Sequence, residues 1–350
     1  MVKASINGYG RIGRVVHRVI LQNFSDEVEI VAINAGSSTD LRGWAHLLKY
    51  DSNYGVLNGF DISVRDEKNE EDKTGKLGVI IINGKEIPVF SQRDPSLLPW
   101  GELGVDVVIE STGHFLTTEK ASSHLVSGAK KVVISAPSKD DTKTFVLSIN
   151  DEDYADEDII SNASCTTNCI TPVAKIMEEV FGIEKAMMTT IHAYTSDQEL
   201  QDGGHKDYRR ARASAKNIVP TTTGATQAAA KALPSLTDKF NGLSIRIPVS
   251  VGSLSDFTFL LKKETSVEEV NEVLKSASET DRFKKYISVT SDPIVSSDIV
   301  GDSHSSIVDL SLTQVVDGNM VKVIAWYDNE WGYSNRLVEE VIFVGKSISS

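Results

Sequence analysis

Within its first two dozen residues the chain passes from a β-capable segment, Val2–Asn7, through Gly8-Tyr9-Gly10-Arg11-Ile12-Gly13 into Arg11–Asn23, where apolar residues recur at helical spacing. A G-x-G-x-x-G string that leaves a strand and opens a helix constrains the backbone strongly. Its glycines permit a tight turn, close approach of the backbone to a pyrophosphate, and close helix–strand packing. The helix amino terminus adds unpaired N–H groups and a positive dipole end. In isolation the string is common; in this setting it specifies a dinucleotide-binding unit. Glu29–Asn34 alternates into a second strand, and further β-capable runs follow at Val105–Glu110 and Lys131–Ser135 around a helix-like stretch, Thr117–Ser127. Strands alternating with helices predict an α/β, doubly wound parallel sheet.

From about Glu184 the texture changes. Long β-rich runs (Met187–His192, Leu243–Val251, Ser255–Lys262, Ser306–Gln314, Met320–Tyr327) predict a second domain with a mixed or antiparallel sheet. The amphipathic stretch Trp331–Val344 is expected to pack back on the first domain. The charge-dense run Asp66–Lys73, closed by Gly75 before the strand Val79–Ile82, reads as a solvated hairpin or loop tip.

At 350 residues the chain has room for about two domains and needs no disulfide or metal staple for its core. A formal charge of −13 argues against duplex nucleic acid and anionic membrane as partners. No apolar run approaches the ~20 residues of a membrane span, and polar Asn7 and Arg11 interrupt the amino terminus before a signal-peptide core could form. Two cysteines make no disulfide framework, so the expected compartment is reducing, the cytoplasm.

Both cysteines fall in Ser161-Asn162-Ala163-Ser164-Cys165-Thr166-Thr167-Asn168-Cys169. The C-x-x-x-C spacing is wrong for a redox pair, and further ligands for a metal are missing. Cys169, one helical turn on and followed by Ile170, reads as an inert core residue. Cys165 has polar neighbours on both sides and sits at a predicted helix start, where the dipole favours a thiolate; it is the candidate nucleophile. A nucleophile wants a base, and His192 ends the β-like run Met187–Ile191. His17, His46, His114, His124 and His304 read as structural.

Taken in order, NGYGRIG, SNASCTTNC, IHAYTSDQ, HKDYRRARASAKNIVPTTTGA and WYDNEWGYSNR resemble the signatures of phosphorylating glyceraldehyde-3-phosphate dehydrogenases from end to end of the chain. The resemblance implies a Rossmann domain over residues 1–164, an α+β catalytic domain with a mixed sheet over 165–328, a carboxy-terminal helix over 329–350 returning to the Rossmann domain, and a homotetramer. It implies oxidation of glyceraldehyde 3-phosphate to an acyl phosphate, with inorganic phosphate as co-substrate. Cys165 would carry a thiohemiacetal and then a thioester, with His192 as its base, keeping it ionised. By the same resemblance Arg246 and Thr195 hold the substrate phosphate, while Ser164, Thr166, Thr223 and Gly224 hold the attacking phosphate. Arg210 reaches towards both, its guanidinium suited to bidentate phosphate binding, and Arg209 and Arg212 belong to a solvated basic loop. Cofactor contacts carry over to Gly8, Gly10, Arg11, Ile12 and Gly13 at the pyrophosphate, to Arg93, Ser111, Thr112 and Gly113 on the adenosine side, and to Ser135, Asn329 and Tyr333 near the nicotinamide. The stretch after Arg246 departs from the usual family pattern, so the packing of that strand is expected to differ.

Asn34 ends the second strand and Ala35, Gly36 and Ser37 follow it, where NAD-specific members carry aspartate at the position of Ala35. Without that carboxylate a 2′-phosphate meets no repulsion, and Gly203-Gly204 reduces bulk beside the ribose. NADP is therefore expected to be favoured, with NAD accepted. Competing readings are erythrose-4-phosphate dehydrogenase, which hydrolyses the thioester, a non-catalytic scaffold of the same fold, and a cysteine hydrolase. The retained phosphate-site residues, the joint presence of Cys165, His192, Arg210 and Arg246, and the dinucleotide loop argue against each in turn.

Overall fold

The computed structural model describes residues 1–69 and 71–348; Glu70, inside the charge-dense run, and Ser349 and Ser350 at the end of the chain lie outside the described residues. The chain divides into two compact units, one of residues 1–145, 154–163 and 334–350, the other of 146–153 and 164–333.

In the first unit, β1 (Val2–Asn7) leads through the glycine turn into α1 (Arg11–Asn23), then β2 (Val28–Asn34) and α2 (Leu41–Lys49). A short ribbon, β3 (Tyr50–Asp51) and β4 (Gly55–Val56), precedes β5 (Ile62–Asp66), β6 (Lys76–Ile82) and β7 (Lys85–Phe90). β8 (Val107–Glu110), α3 (Thr118–Ala121), α4 (Ser123–Val126), β9 (Lys131–Ile134) and β10 (Ile159–Ser161) complete it. The sheet order is β10-β9-β8-β1-β2-β7-β6-β5. The six strands from β10 to β7 run parallel, and β6 and β5 add antiparallel at one edge. Such strands are covered on both faces and read as near-continuous apolar runs; β8 and β9 are buried along their whole length. Their two charged exceptions, Glu110 and Lys131, are both bonded inside the protein, Lys131 Nζ donating to Asp156 O at 2.7 Å and Asp156 Oδ1 at 2.8 Å. Apart from Glu70, the charge-dense run lies between β5 and β6 of an antiparallel hairpin, as the sequence predicts. Gly345 lies so close to β1 that a Cβ on it would stand 2.5 Å from Val2 Cγ2.

The second unit contains α5 (Cys165–Val180), β11 (Ile183–Ala193), β12 (Val219–Thr221), α6 (Ala225–Ala232), β13 (Phe240–Ile247), β14 (Ser253–Leu261) and α7 (Val267–Ser278). After these come β15 (Ile287–Thr290), β16 (Ser306–Asp309), β17 (Gln314–Val316) and β18 (Met320–Tyr327). α8 (Trp331–Ser347) starts here and from Ser334 belongs to the first unit. The sheet is mixed, in the order β12-β13-β11-β14-β18-β16-β15, with β17 on β18; β11–β13 and β15–β16 are its parallel pairs.

Several expected elements stop a residue or more short or are broken, three of them for a clear local reason. The strand expected over Leu243–Val251 stops at Ile247 because Pro248 has no N–H for the ladder. The run Ser306–Gln314 breaks after Asp309, whose carboxylate takes the N–H of Ser311 at 3.2 Å and its hydroxyl at 2.6 Å. Thr117–Ser127 is two single turns rather than one helix: Ser122 and Ser123 hydroxyls donate back to Glu119 O and Lys120 O, competing with the helical pattern. Among the described residues no helix is long and apolar enough to cross a membrane.

Candidate functional site

The glycine turn is shaped as its spacing requires. Gly8 has φ +95°, and a Cβ there would stand 2.6 Å from Thr112 N; one on Gly13 would stand 2.2 Å from Gly8 O. A Cβ on Gly10, by contrast, would meet nothing within 4 Å, and no side chain caps α1. Two glycines thus close the turn while the third leaves its outer face open. A cavity of about 680 Å³ lies where β1, β2 and β8 end, the point at which a doubly wound sheet reverses strand order. Of the residues carried to the cofactor by resemblance, Gly8, Gly10, Asn34, Ala35, Gly36, Arg93, Ser111 and Thr112 line it. Ser37 lines a neighbouring cavity under the β5–β6 hairpin, and Ser38 takes its place here.

Several of these side chains are turned inward. Asn34 Nδ2 donates to Asn7 Oδ1 at 2.6 Å and Gln92 O at 2.8 Å, so its amide braces the wall. Ser111 Oγ donates to Gly8 O at 2.6 Å. Arg11 forms a bidentate pair with Asp51 and stacks over Tyr54, leaving backbone as the part of Arg11 and Ile12 that the first turn of α1 can offer to a ligand. Gly113 holds φ +74° in the turn after β8, and Ser135 follows β9, its N–H on Glu110 O. Arg93 is exposed and makes no hydrogen bond or ion pair among the described residues. The reading of the sequence missed Trp44, Gln92, His114 and Phe115 as lining residues; none belongs to a motif, and only the fold brings them to the strand ends.

In the second unit Ser164 caps α5, its hydroxyl accepting the N–H of Thr167 at 3.1 Å, and Cys165 is the first residue of that helix. Cys165 Sγ lies 3.4 Å from His192 Nε2, near the end of β11. On the far side of the ring, Nδ1 is 2.6 Å from Ala193 O and 2.9 Å from Arg246 Nη1. One nitrogen cannot serve both, and the shorter contact assigns the Nδ1 proton to Ala193 O, to which Arg246 also donates at 3.1 Å. Nε2 is then an acceptor facing the sulfur. Parallel pairing of β11 with β13 sets His192 opposite Arg246. Burial, followed by the neighbouring Arg246 charge, pulls His192 down to about 3. Burial also pushes the Cys165 thiol up, opposed by Arg246. The helix-start argument for a thiolate is therefore opposed by the desolvation of the buried sulfur. Cys169 is fully buried 3.9 and 3.8 Å from the hydroxyls of Ser255 and Ser306 and is pushed up to about 12, in keeping with an inert role.

Arg246 Nη1 reaches Thr195 Oγ1 at 3.5 Å, and its Nε is buried with no partner among the described residues. Thr166 bonds Tyr327 OH at 3.0 Å, while Thr223 and Gly224 stand at the start of α6. Arg210 is turned onto Asp197, Thr221 Oγ1 and Thr222 O within its own loop. Asn329 Oδ1 accepts from Gly252 N at 3.1 Å and Ser253 Oγ at 2.8 Å, which directs its NH₂ away from the strand. Tyr333 is buried in the first turn of α8. Tyr327, hidden in the sequence as the apolar end of a strand, packs its ring edge-on to His192 at 5.9 Å.

The profile described as "Glyceraldehyde 3-phosphate dehydrogenase, NAD binding domain" matches residues 2–118, and that described as "Glyceraldehyde 3-phosphate dehydrogenase, C-terminal domain" matches residues 164–329. Glyceraldehyde-3-phosphate dehydrogenase 2 of Streptomyces avermitilis is 49% identical over 349 residues, covering 99% of each chain. The glyceraldehyde-3-phosphate dehydrogenases of Mycobacterium avium and Mycobacterium tuberculosis are 50% and 51% identical over 352 residues, again covering 99% of each chain. With a two-domain α/β fold, matching profiles over most of its length and such relatives end to end, the chain belongs to the glyceraldehyde-3-phosphate dehydrogenase family.

Proposed function

We infer that this chain's glyceraldehyde-3-phosphate dehydrogenase activity runs through a covalent adduct on Cys165. The observation that carries the reading is the Sγ–Nε2 contact of 3.4 Å at the start of α5. The thiol proton passes to His192 Nε2 as sulfur attacks the aldehyde carbon, and returns to the new oxygen to give a thiohemiacetal. The bound nicotinamide supplies the hydride acceptor for oxidation of that adduct. His192 removes the hydroxyl proton in the same step, its ring held by Ala193 O. The resulting thioester is cleaved by inorganic phosphate, which frees the Cys165 sulfur. Arg246 and Thr195 hold the substrate phosphate; Ser164, Thr166, Thr223 and Gly224 serve the attacking phosphate, and Arg210 serves both if it exchanges Asp197 for an anion. Following cofactor reduction with glyceraldehyde 3-phosphate, with and without inorganic phosphate, tests this. Sustained turnover in the absence of phosphate favours the hydrolytic relative instead.

The first unit fits a dinucleotide through its closed Gly8–Gly13 turn, the open face at Gly10 and the uncapped α1. Asn329, with its amide oxygen anchored, presents an NH₂ suited to a carboxamide. NADP is the favoured cofactor, with NAD accepted. Ala35 is buried and carries no carboxylate, while unpartnered Arg93 lines the same cavity with Gly36 and Ser38, a cation and a hydroxyl for a 2′-phosphate. Steady-state kcat/KM for both cofactors checks this; a preference for NAD above about tenfold, or ~1.4 kcal/mol, contradicts it.

The enzyme works as a cytoplasmic homotetramer, its Rossmann and catalytic domains divided near residue 164 apart from residues 146–153, which belong to the second unit, and its final helix beginning at Trp331 and belonging to the first unit from Ser334. The large apolar side chains Leu200, Tyr208 and Ile218, 73%, 87% and 69% exposed in the long Tyr194–Val219 segment, suit a neighbouring subunit. A fully active monomer in sedimentation at micromolar concentration is the result against it.

A further inference from the structure

We propose that Glu110, at the end of β8, is a positioning residue for the dinucleotide: its buried carboxylate gathers four donors from around the cofactor cavity and fixes the faces its walls present. The proposal rests on the reading that this cavity holds the cofactor. Glu110 is 1% exposed. Its Oε2 accepts from Asn7 Nδ2 at 2.5 Å and His124 Nε2 at 3.0 Å. Its Oε1 accepts from the N–H of Thr112 at 2.8 Å and from the Thr112 hydroxyl.

Both ends of this cluster have a fixed polarity. The indole N–H of Trp100 can only donate, and it lies 3.1 Å from His124 Nδ1; that nitrogen accepts, so the ring proton sits on Nε2 and points at Glu110. At the other end the backbone of Gln92 gives its N–H to Asn34 Oδ1 at 2.9 Å and takes Asn34 Nδ2 on its carbonyl at 2.8 Å. That pairing sets the Asn34 amide, whose Nδ2 also donates to Asn7 Oδ1, and so turns Asn7 Nδ2 onto Glu110. Donors therefore converge on position 110 from every side. Only a group that accepts on both oxygens satisfies them; an amide sets N–H against N–H.

The link to the ligand is direct. Asn7, Asn34, Gln92 and Thr112 line the cavity, and Thr112 N is the atom against which the Gly8 turn is packed. Thr112 Oγ1 also accepts the N–H of His114, another lining residue, at 3.1 Å. Glu110 thus holds the turn after β8 and the floor under the glycine loop together.

Titrating ADP-ribose into the whole chain by calorimetry tests the proposal without reading turnover. Glu110→Gln is expected to weaken ADP-ribose binding about tenfold, the scale of a buried donor left unmet, while alkylation of Cys165 by iodoacetamide keeps its rate within about twofold. Glu110→Asp, shorter but still acceptor-only, is expected to weaken it less, by about two- to fivefold. Packing alone predicts the opposite order, since Gln fills the site and Asp leaves a hole. An unchanged Kd in Glu110→Gln, or a weaker Glu110→Asp, overturns the proposal. Should Glu110→Gln not fold, Glu110→Asp decides it: the stated rise supports, and no rise or a larger loss overturns. A wild-type chain that ignores ADP-ribose refutes instead the cofactor reading of the cavity.

Discussion

Two buried polar clusters, one in each unit, use similar groups and are finished differently. Around Glu110 a carboxylate, a histidine, two asparagines and an indole are joined donor to acceptor. Around Cys165 the sulfur faces one imidazole nitrogen, Arg246 crowds the other, and the Nε of that arginine has no partner among the described residues. The first arrangement is closed, and in a low dielectric that makes it rigid. The second is kept poised: burial and the Arg246 charge together pull His192 down, while at Cys165 burial pushes up against the same charge. Closure marks a scaffold, and incompleteness marks the place where a ligand or a reaction supplies what is missing.

The comparison breaks most sharply at Cys165. Cys165→Ser is expected to abolish turnover, since a hydroxyl at neutral pH is a far weaker nucleophile, yet to bind ADP-ribose like the wild type. Substantial aldehyde oxidation by that variant removes Cys165 from the mechanism. Next comes His192→Asn, expected to lower kcat by about 10²–10⁴ and to slow alkylation of the thiol; an alkylation rate equal to the wild type separates the two residues.

A smaller effect pairs His192 with His17, buried in the first unit with its Nδ1 2.6 Å from Tyr9 OH. Both histidines are pulled down to about 3, His17 by burial first and then by the Lys85 charge. The unfolded chain binds protons at these sites below about pH 6.5 while the folded chain does not. Stability is therefore intact above that pH and declines as pH falls towards 3, by roughly 1.4 kcal/mol per pH unit for each group. Urea midpoints from pH 7 to 5 read this, and His17→Gln is expected to make the decline shallower; an unaltered slope contradicts the assignment. The smallest effect belongs to Cys169→Ser, whose new hydroxyl meets those of Ser255 and Ser306. Activity within about twofold and stability within about 1–3 kcal/mol are expected for a small buried substitution with partners at hand. Lost activity in a folded Cys169→Ser variant makes the inert reading wrong.

Much of the fold was legible because parallel, doubly covered strands and a glycine turn leave strong local signals. Val2–Asn7, Arg11–Asn23 and Met320–Tyr327 stand in the structure with the limits expected of them. Boundaries slipped where a single side chain overrides a run, as Pro248 and Asp309 do. The pairing of Cys165 with His192 was legible from neighbouring residues and from family resemblance. Glu110 and His124 were not: a glutamate ending a strand and a histidine in a broken helix carry no periodic mark, and their partners lie 103 and 24 residues away in the sequence. Tyr327 was missed for the same reason, its hydroxyl finding Thr166 and Thr190 only after the sheet forms.

The first unit is stitched from three separate stretches of chain, and Gly345 of the last stretch seats against Val2 of the first. During synthesis the strands of this unit emerge early, yet the part of α8 that meets Val2 of β1 arrives only after the whole second unit has been made. Domains generally fold as units in the order they leave the ribosome; here the earlier unit is finished by the later residues. Val2, at the head of its central strand, therefore meets Gly345 only when almost the whole chain has been made.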